Sequence, residues 1–475
     1  MIAKVCNGEQ GKLVTMTATD PREIIDRSAM TAAQLFVVVI TVLLNGMDGF
    51  DILSIAFASN GIAAEWHIAP LALGIVLSME LIGMAFGSLF LGGVADKIGR
   101  RPTLLGCLVV MVAGMLLATT ATSPVQLSIW RVLTGLGIGG MLSCTNAVVA
   151  EFSNSKWRSV CISFMVIGYP LGGGIGGLYA SGLIARYNDW RAVFYFGAAA
   201  TAVLIPLVFF LVPESVHWLT RKQPVNALAR INQSLKKLGQ ATAAALPEVH
   251  ADDRKKSLAD IFSPALIGIT LIVTAAYFLH IVSFYFLLKW GPRIVTGITN
   301  PVTGQPFTGA DGGRLLAMAN FGGAAGGIVF GLLSARLGLK PLTMGILVLN
   351  AAAIVVFGRS PSDLNTLILL AIVVGFFGNA AISGMYSIVA YAFPTHVRAT
   401  GTGFVIGVGR GGAVLSPWLA GYLIQIGATL PTVGLIMGIG SLLAAGVLLL
   451  LKLNVERPGE VGSAQKAAAL KPSTA

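Results

Sequence analysis

Residues Leu35–Ala58 read LFVVVITVLLNGMDGFDILSIAFA, an apolar run with two carboxylates, Asp48 and Asp51, at its middle. A helix that crosses lipid needs about 20 such residues. A charge at the centre of that helix costs at least about 2.5–3.5 kcal/mol. Spacing i, i+3 sets the two carboxylates on one face, roughly 60° and about 4.5 Å apart. Asn45 and Thr41 extend the polar stripe toward the N-terminus. Such a stripe belongs against a water-filled path or a buried partner, not against lipid.

The rest of the chain shares that character. It has 475 residues, 55% hydrophobic and 11% charged, with 58 Gly and a mean hydropathy of +0.81. No soluble globular class has this composition, which is that of a polytopic membrane protein. Apolar segments run at about 34–58, 71–95, 102–121, 125–150, 160–185, 192–212, 264–288, 312–334, 341–358, 364–390, 400–425 and 430–452. The expected fold is therefore an all-α membrane protein of twelve transmembrane helices in two pseudo-symmetric six-helix bundles. The expected division is a cytoplasmic tail (1–33), a first bundle (34–212), a cytoplasmic linker (213–263), a second bundle (264–452) and a cytoplasmic tail (453–475).

The net charge of +12 could suggest a polyanion partner, but its distribution does not. Of the 32 Lys and Arg, Arg131 and Arg410 fall inside spans, and Arg186, Arg191, Lys289, Arg293, Arg314 and Arg359 fall on the outer side. The remaining 24 fall on the side of the termini, the positive-inside pattern, which places both termini in the cytoplasm. No nucleic acid partner is expected, and no cleavable signal peptide is evident. Cys6, Cys107, Cys144 and Cys161 have neither metal-ligand nor disulfide-framework spacing, and no cofactor is expected. The G-x-G-x-x-G matches at Gly135/Gly137/Gly140 and Gly407/Gly409/Gly412 lie inside spans and read as close-packing helix faces. No Walker motif is present.

The halves repeat each other. Gly92, Lys97, Gly99, Arg101 and Pro102 recur 239 residues later as Gly331, Arg336, Gly338, Lys340 and Pro341, and Arg158 recurs as Arg398. Asp96 and Arg100 are replaced by Ala335 and Leu339. Duplicated bundles with a site between them are a transporter architecture.

The loop Gly92-Gly-Val-Ala-Asp96-Lys97-Ile-Gly99-Arg100-Arg101-Pro102 and the fourth-span pattern Arg131-x-x-x-Gly135-x-Gly137-x-Gly139-Gly140 resemble signatures of the major facilitator superfamily. Asp48-Gly49-Phe50-Asp51 resembles the D-G-[FY]-D motif of its aromatic acid:proton symporters, as do Tyr391-x-x-Pro394-x-x-Val397-Arg398-x-x-Gly401 and the intramembrane Arg410. Gly168-Tyr-Pro170-x-Gly-Gly-Gly-Ile-Gly-Gly177 instead partly resembles a motif of drug antiporters. Pro213-Glu214-Ser215-x-x-Trp218-Leu219 also occurs in sugar and organic-ion porters.

The resemblance implies that spans 1, 4, 7 and 10 line a central cavity. Counting rise per residue, Asp51 and Arg131 both lie roughly 10 Å below the outer surface, which suggests an Asp51–Arg131 pair. Asp48, a turn deeper, is then the expected proton carrier, with the reverse division open. Glu80 is a further acid that could pair with Arg410 or join the proton path. Arg131 and Arg410 are the expected anion receivers, their guanidinium geometry suiting a carboxylate. Tyr277, His280 and Phe284 on span 7, and Asn379, Ser383 and Tyr386 on span 10, are candidates for the ring and its hydroxyls. Asp96, Arg100, Glu151, Arg158 and Arg398 have the signs and positions of a cytoplasmic gate.

The expected function is proton-coupled import of an aromatic carboxylate by a monomeric, non-enzymatic carrier of the bacterial inner membrane. Another organic acid or a sugar as substrate, proton-driven efflux, or a receptor role are the alternatives.

Overall fold

The computed structural model describes residues 20–247, 258–301, 303–359, 363–394 and 397–451. Most of the expected N-terminal tail, Cys6 and the C-terminal tail lie outside them, as does part of the linker. The described chain is helical from end to end. After the short α1 (Pro21–Arg27) come α2 (Ala32–Trp66), α3 (Pro70–Ile98), α4 (Arg100–Thr119), α5 (Pro124–Phe152), α6 (Arg158–Tyr187) and α7 (Arg191–Leu211). The linker carries α8 (Val216–Lys222), α9 (Ala227–Lys237) and a 3-10 turn (Leu258–Phe262). The second series is α10 (Ile267–Thr296), α11 (Gly309–Leu337), α12 (Leu339–Gly358), α13 (Leu364–Ala392), α14 (Arg398–Gln425) and α15 (Leu430–Leu449).

Twelve of these helices are 20 to 35 residues long, and eleven are long and apolar enough to cross a membrane. The twelfth, α14, is long enough but less apolar, because it is rich in glycine and carries Arg410. The seventh span differs from expectation. It continues to Thr296 instead of ending near residue 288, which draws Lys289 into the helix and buries it completely.

Glycine sets which helices touch. A Cβ on Gly135 would meet the Glu80 carbonyl at 2.0 Å, and one on Gly139 the Met84 carbonyl at 2.2 Å. Reciprocally, Gly83 and Gly87 lie against the Val132 and Leu136 carbonyls. Helices α3 and α5 therefore approach backbone to backbone, as small-residue faces permit in membranes. The same contact recurs in the second half, where Gly322 and Gly326 lie against the Ile372 and Phe376 carbonyls and Gly375 against Ala319. These positions are offset by 239 or 240 residues, so the repeat seen in the loops extends into the packing.

The hydrogen bonds between the two series run from one end to mid-depth. Ser78 donates to the Val414 carbonyl (2.8 Å), Asn60 to Pro292 (3.2 Å) and the Leu71 backbone to Gln425 (3.2 Å). Thr296 donates to Asn60 (2.8 Å), and Arg410 to the Met84 carbonyl (2.9 Å). Apolar side chains from both series, among them Ile62, Leu73, Leu77, Phe286, Trp290 and Leu423, form one buried cluster there. Among the described residues no hydrogen bond joins the series toward the other end, where Gly403 and Gly407 of α14 face open space. Among the described residues the series are thus tied together at the end holding Trp66 and Pro70, and no hydrogen bond bridges them at the end holding Ile98 and Arg100.

Candidate functional site

Inward from the joined end lie six fully or almost fully buried charges: Asp48, Asp51, Glu80, Arg131, Lys289 and Arg410. They come from five helices of both series. The close approach of α3 and α5 explains the tightest pair. Glu80 stands one turn before Gly83, and Arg131 one turn before Gly135. Backbone contact at the glycines brings the carboxylate and guanidinium together. Glu80 and Arg131 form an ion pair with no exposure on either side. Lys289 approaches the other Glu80 oxygen at 3.5 Å.

This corrects the expected Asp51–Arg131 pair. Arg131 reaches Asp51 through its backbone carbonyl (2.9 Å), while its charge is matched by Glu80. Depth along two helices shows that residues are level, but not which side chains face each other across a glycine contact. Glu80, for the same reason, does not pair with Arg410. Lys289 donates to the next carbonyl of α2, that of Ile52.

Both aspartates of α2 are enclosed. Asp48 is 1% exposed and Asp51 fully buried, and none of their four oxygens has a hydrogen-bond partner among the described residues. Asp51 points toward α7, where a Cβ on Gly197 would stand 3.3 Å from its Oδ1. The cation whose field acts on Asp48 is Arg410, and on Asp51 it is Arg131. A buried carboxylate without a donor is sustained by such a cation or neutralised by a proton.

Arg410 makes one hydrogen bond among the described residues, to Met84, so most of its five donors remain for a ligand. Tyrosines gather near it. The Tyr277 hydroxyl lies 3.3 Å from that of Tyr386, with ring centroids 5.8 Å apart. Tyr169 of α6 adjoins Tyr285, and Tyr277 and Tyr285 both feel the charge of Arg410. Phe284 lies edge-on to Tyr285 at 5.5 Å.

Three other candidates sit elsewhere. His280 is held by Ser441 (3.0 Å) and the Gly378 carbonyl (3.2 Å), inside the second bundle, as a packing histidine. Asn379 turns to Gly323 of α11, and Ser383 donates back to the Asn379 carbonyl (3.0 Å). Of that span-10 stripe only Tyr386 reaches the tyrosine group, because the glycines of α11 draw the other two into the helix contact. Lys289 and Tyr169 were missed in the sequence. Lys289 looked like a span flank, and Tyr169 sits between Gly168 and Pro170 in a stretch that reads as packing.

The gate candidates bind within their own half. Arg100 pairs with Asp96 (2.8 Å) and Glu151 (3.1 Å), and Arg158 with Asp26 of α1. Arg398 caps the Phe393 carbonyl (3.3 Å). The linker joins the first group. Arg221 reaches Asp96 (3.1 Å), Trp218 donates to the Asp96 carbonyl (3.1 Å), and Glu214 accepts from the Arg100 backbone (2.8 Å). Burial pushes the Glu214 carboxyl above its ordinary range, although three backbone N–H groups oppose the shift.

Comparison with known proteins adds an independent finding. Residues 38–304 and 294–475 match the sequence model of the Major Facilitator Superfamily. The chain is 27% identical over 440 residues to a gallate transporter of Pseudomonas putida, covering 90% of this chain and 93% of that one. It is 28% identical over 415 residues to the 4-hydroxybenzoate transporter PcaK of Acinetobacter baylyi, covering 86% and 89%. In fold it is similar to the partially occluded, inward open xylose transporter XylE from E. coli. That likeness has a TM-score of 0.70 at 16% identity and covers 88% of this chain and 98% of that one.

Proposed function

The chain belongs to the Major Facilitator Superfamily, and on that premise we propose that it imports an aromatic carboxylate together with a proton by alternating access. The setting is the bacterial inner membrane, with both termini in the cytoplasm. In that orientation the joined end is the closed, extracytoplasmic one and the structure is inward-open. A family of membrane carriers, not enzymes, needs no bond-making site, only a binding site that faces each side in turn.

The observation that carries the reading is the balance of buried charge. Three carboxylates (Asp48, Asp51, Glu80) stand against three cations (Arg131, Lys289, Arg410). Glu80 already takes two of the cations. A substrate anion bound at Arg410 adds a negative charge to a desolvated cluster, and a proton taken up by Asp48 restores the balance. Neither binds well alone, which is the thermodynamic requirement for symport. Asp48 is the carrier in this reading because the cation acting on it is Arg410, the one with donors to spare. When the anion takes over Arg410, Asp48 loses its compensation and gains a proton.

The tyrosine group supports an aromatic cargo. Tyr277, Tyr285, Tyr386 and Tyr169 offer ring faces and hydroxyls close to Arg410, a combination that fits a ring bearing a carboxylate and hydroxyls. The names of the relatives, transporters of gallate and 4-hydroxybenzoate, point the same way. The roles expected of His280, Asn379 and Ser383 are not part of this reading.

The test is uptake into proteoliposomes under an imposed inward proton gradient, with hydroxybenzoates, benzoate, cinnamates, aliphatic acids and sugars offered in parallel. Accumulation of an aromatic acid that collapses with a protonophore is expected. Uptake indifferent to the gradient, or accumulation confined to non-aromatic solutes, overturns the reading.

A further inference from the structure

Lys289 is the most unusual of the buried charges. It belongs to the second bundle, yet among the described residues both of its acceptors, the Glu80 carboxylate and the Ile52 carbonyl, belong to the first. Every other ion pair in the described chain lies within the first half and its linker. The neighbouring carbonyls of Asp51 and Ile52 on α2 thus receive two cations, Arg131 from the same bundle and Lys289 from the opposite one. Glu80 bridges the two.

The consequence depends on whether the bundles are together at this end. When they meet, the ammonium is desolvated and held by acceptors of the other half. When they part there, Lys289 loses both acceptors and is left to water, whereas Glu80 keeps Arg131. The contact is therefore conditional on closure, unlike Glu80–Arg131, which persists in either state. A buried cation left without its carboxylate is strongly disfavoured, so while water is excluded the contact resists separation.

We propose that Lys289 is a positioning residue of the transport cycle, the ionic latch that holds the extracytoplasmic end shut by tying α10 to Glu80 and to the Ile52 carbonyl of α2. It rests on the alternating-access reading above but not on the identity of the cargo. The latch is made as the carrier turns inward and broken as it turns outward. The charged groups that face it are Glu80, from which it is 3.5 Å, and Arg131, which shares that carboxylate.

The experiment measures distance, not transport. Nitroxide labels at Thr122 and Gln305, exposed on loops of opposite bundles at the closed end, report its opening by pulsed electron resonance on a cysteine-replaced background. The parent protein should show one dominant short distance. Lys289→Met, similar in length but uncharged, should lower the ratio of closed to open populations at least about tenfold, and Lys289→Arg should restore the short distance. A merely structural role predicts lower stability with unchanged distances. If Lys289→Met is not recovered folded, Glu80→Gln, which removes the charge but keeps the shape, should shift the same ratio. Unchanged distances in the folded variant overturn the latch. Failure of proton-driven uptake in the parent protein would overturn the proposed function without touching this result.

Discussion

At the scale of single residues, Asp48→Asn separates proton coupling from binding. The amide imitates the protonated acid in shape and charge, so exchange of substrate through the loaded carrier should persist. Under a gradient of one pH unit, worth about 1.4 kcal/mol, a carrier moving one proton per substrate supports about tenfold accumulation. Asp48→Asn should bring that ratio to about one, while counterflow of labelled against unlabelled substrate continues. Full accumulation by the variant would transfer the proton to Asp51, whose carboxylate is equally unpartnered. The residues that matter most here were visible because each is a charge in an apolar run. Asp48, Asp51, Glu80, Arg131 and Arg410 are anomalies that no neighbouring sequence can hide. Lys289 escaped because lysine near a span end is ordinary, and only the helix running on to Thr296 makes it unusual. The partners were less legible than the charges, since pairing depends on which helices are adjacent in space.

At the scale of helices, adjacency comes from glycine. Gly135→Ala would drive a methyl into the Glu80 carbonyl, and Gly375→Ala would do the same against Ala319 in the second bundle. Overpacking of this kind costs typically about 1–3 kcal/mol. Both variants should lose thermal stability in detergent by similar amounts. Only Gly135→Ala should also lose proton-driven accumulation, because Arg131 and Glu80 lie beside that contact, whereas the corresponding positions of the second half are Ala371 and Ala319. Equal transport loss in the two variants would mean that the contact matters for packing alone. The glycines were readable as close-packing faces, and the twelve long helices followed from hydropathy. The helix ends were not readable in the same way, because a span can carry polar residues inside it wherever a second bundle covers them.

At the scale of the molecule, the two halves are alike in backbone contact and unlike in chemistry. Four of the six buried charges, all three carboxylates among them, belong to α2, α3 and α5 of the first bundle, and the second supplies two cations, Lys289 on α10 and Arg410 on α14. The repeat was legible from the loops, where glycine and the basic residues recur at one offset. The state of the molecule was not. Nothing in a linear sequence says which end of two rocking bundles is shut, since both arrangements use the same helices. The linker is asymmetric too. Arg221 and Trp218 of α8 bind Asp96, and Glu214 binds the Arg100 backbone of the first half, while the turn at Leu258–Phe262 adjoins the second through Ile261 and Thr270 (2.8 Å).

The equality of buried carboxylates and cations also has an electrical meaning. With one proton accompanying one monovalent anion, the loaded carrier has the same net charge as the empty one. Both turn within the membrane without moving charge through its field, which would otherwise contribute about 2.3 kcal/mol per charge for each 100 mV. Uptake should then follow the pH difference and ignore an imposed potassium diffusion potential, and a solid-supported membrane electrode should record no sustained current during turnover. A potential-driven uptake would mean that more than one proton crosses with each anion. A carrier balanced in this way would draw on chemical potential alone and be blind to voltage.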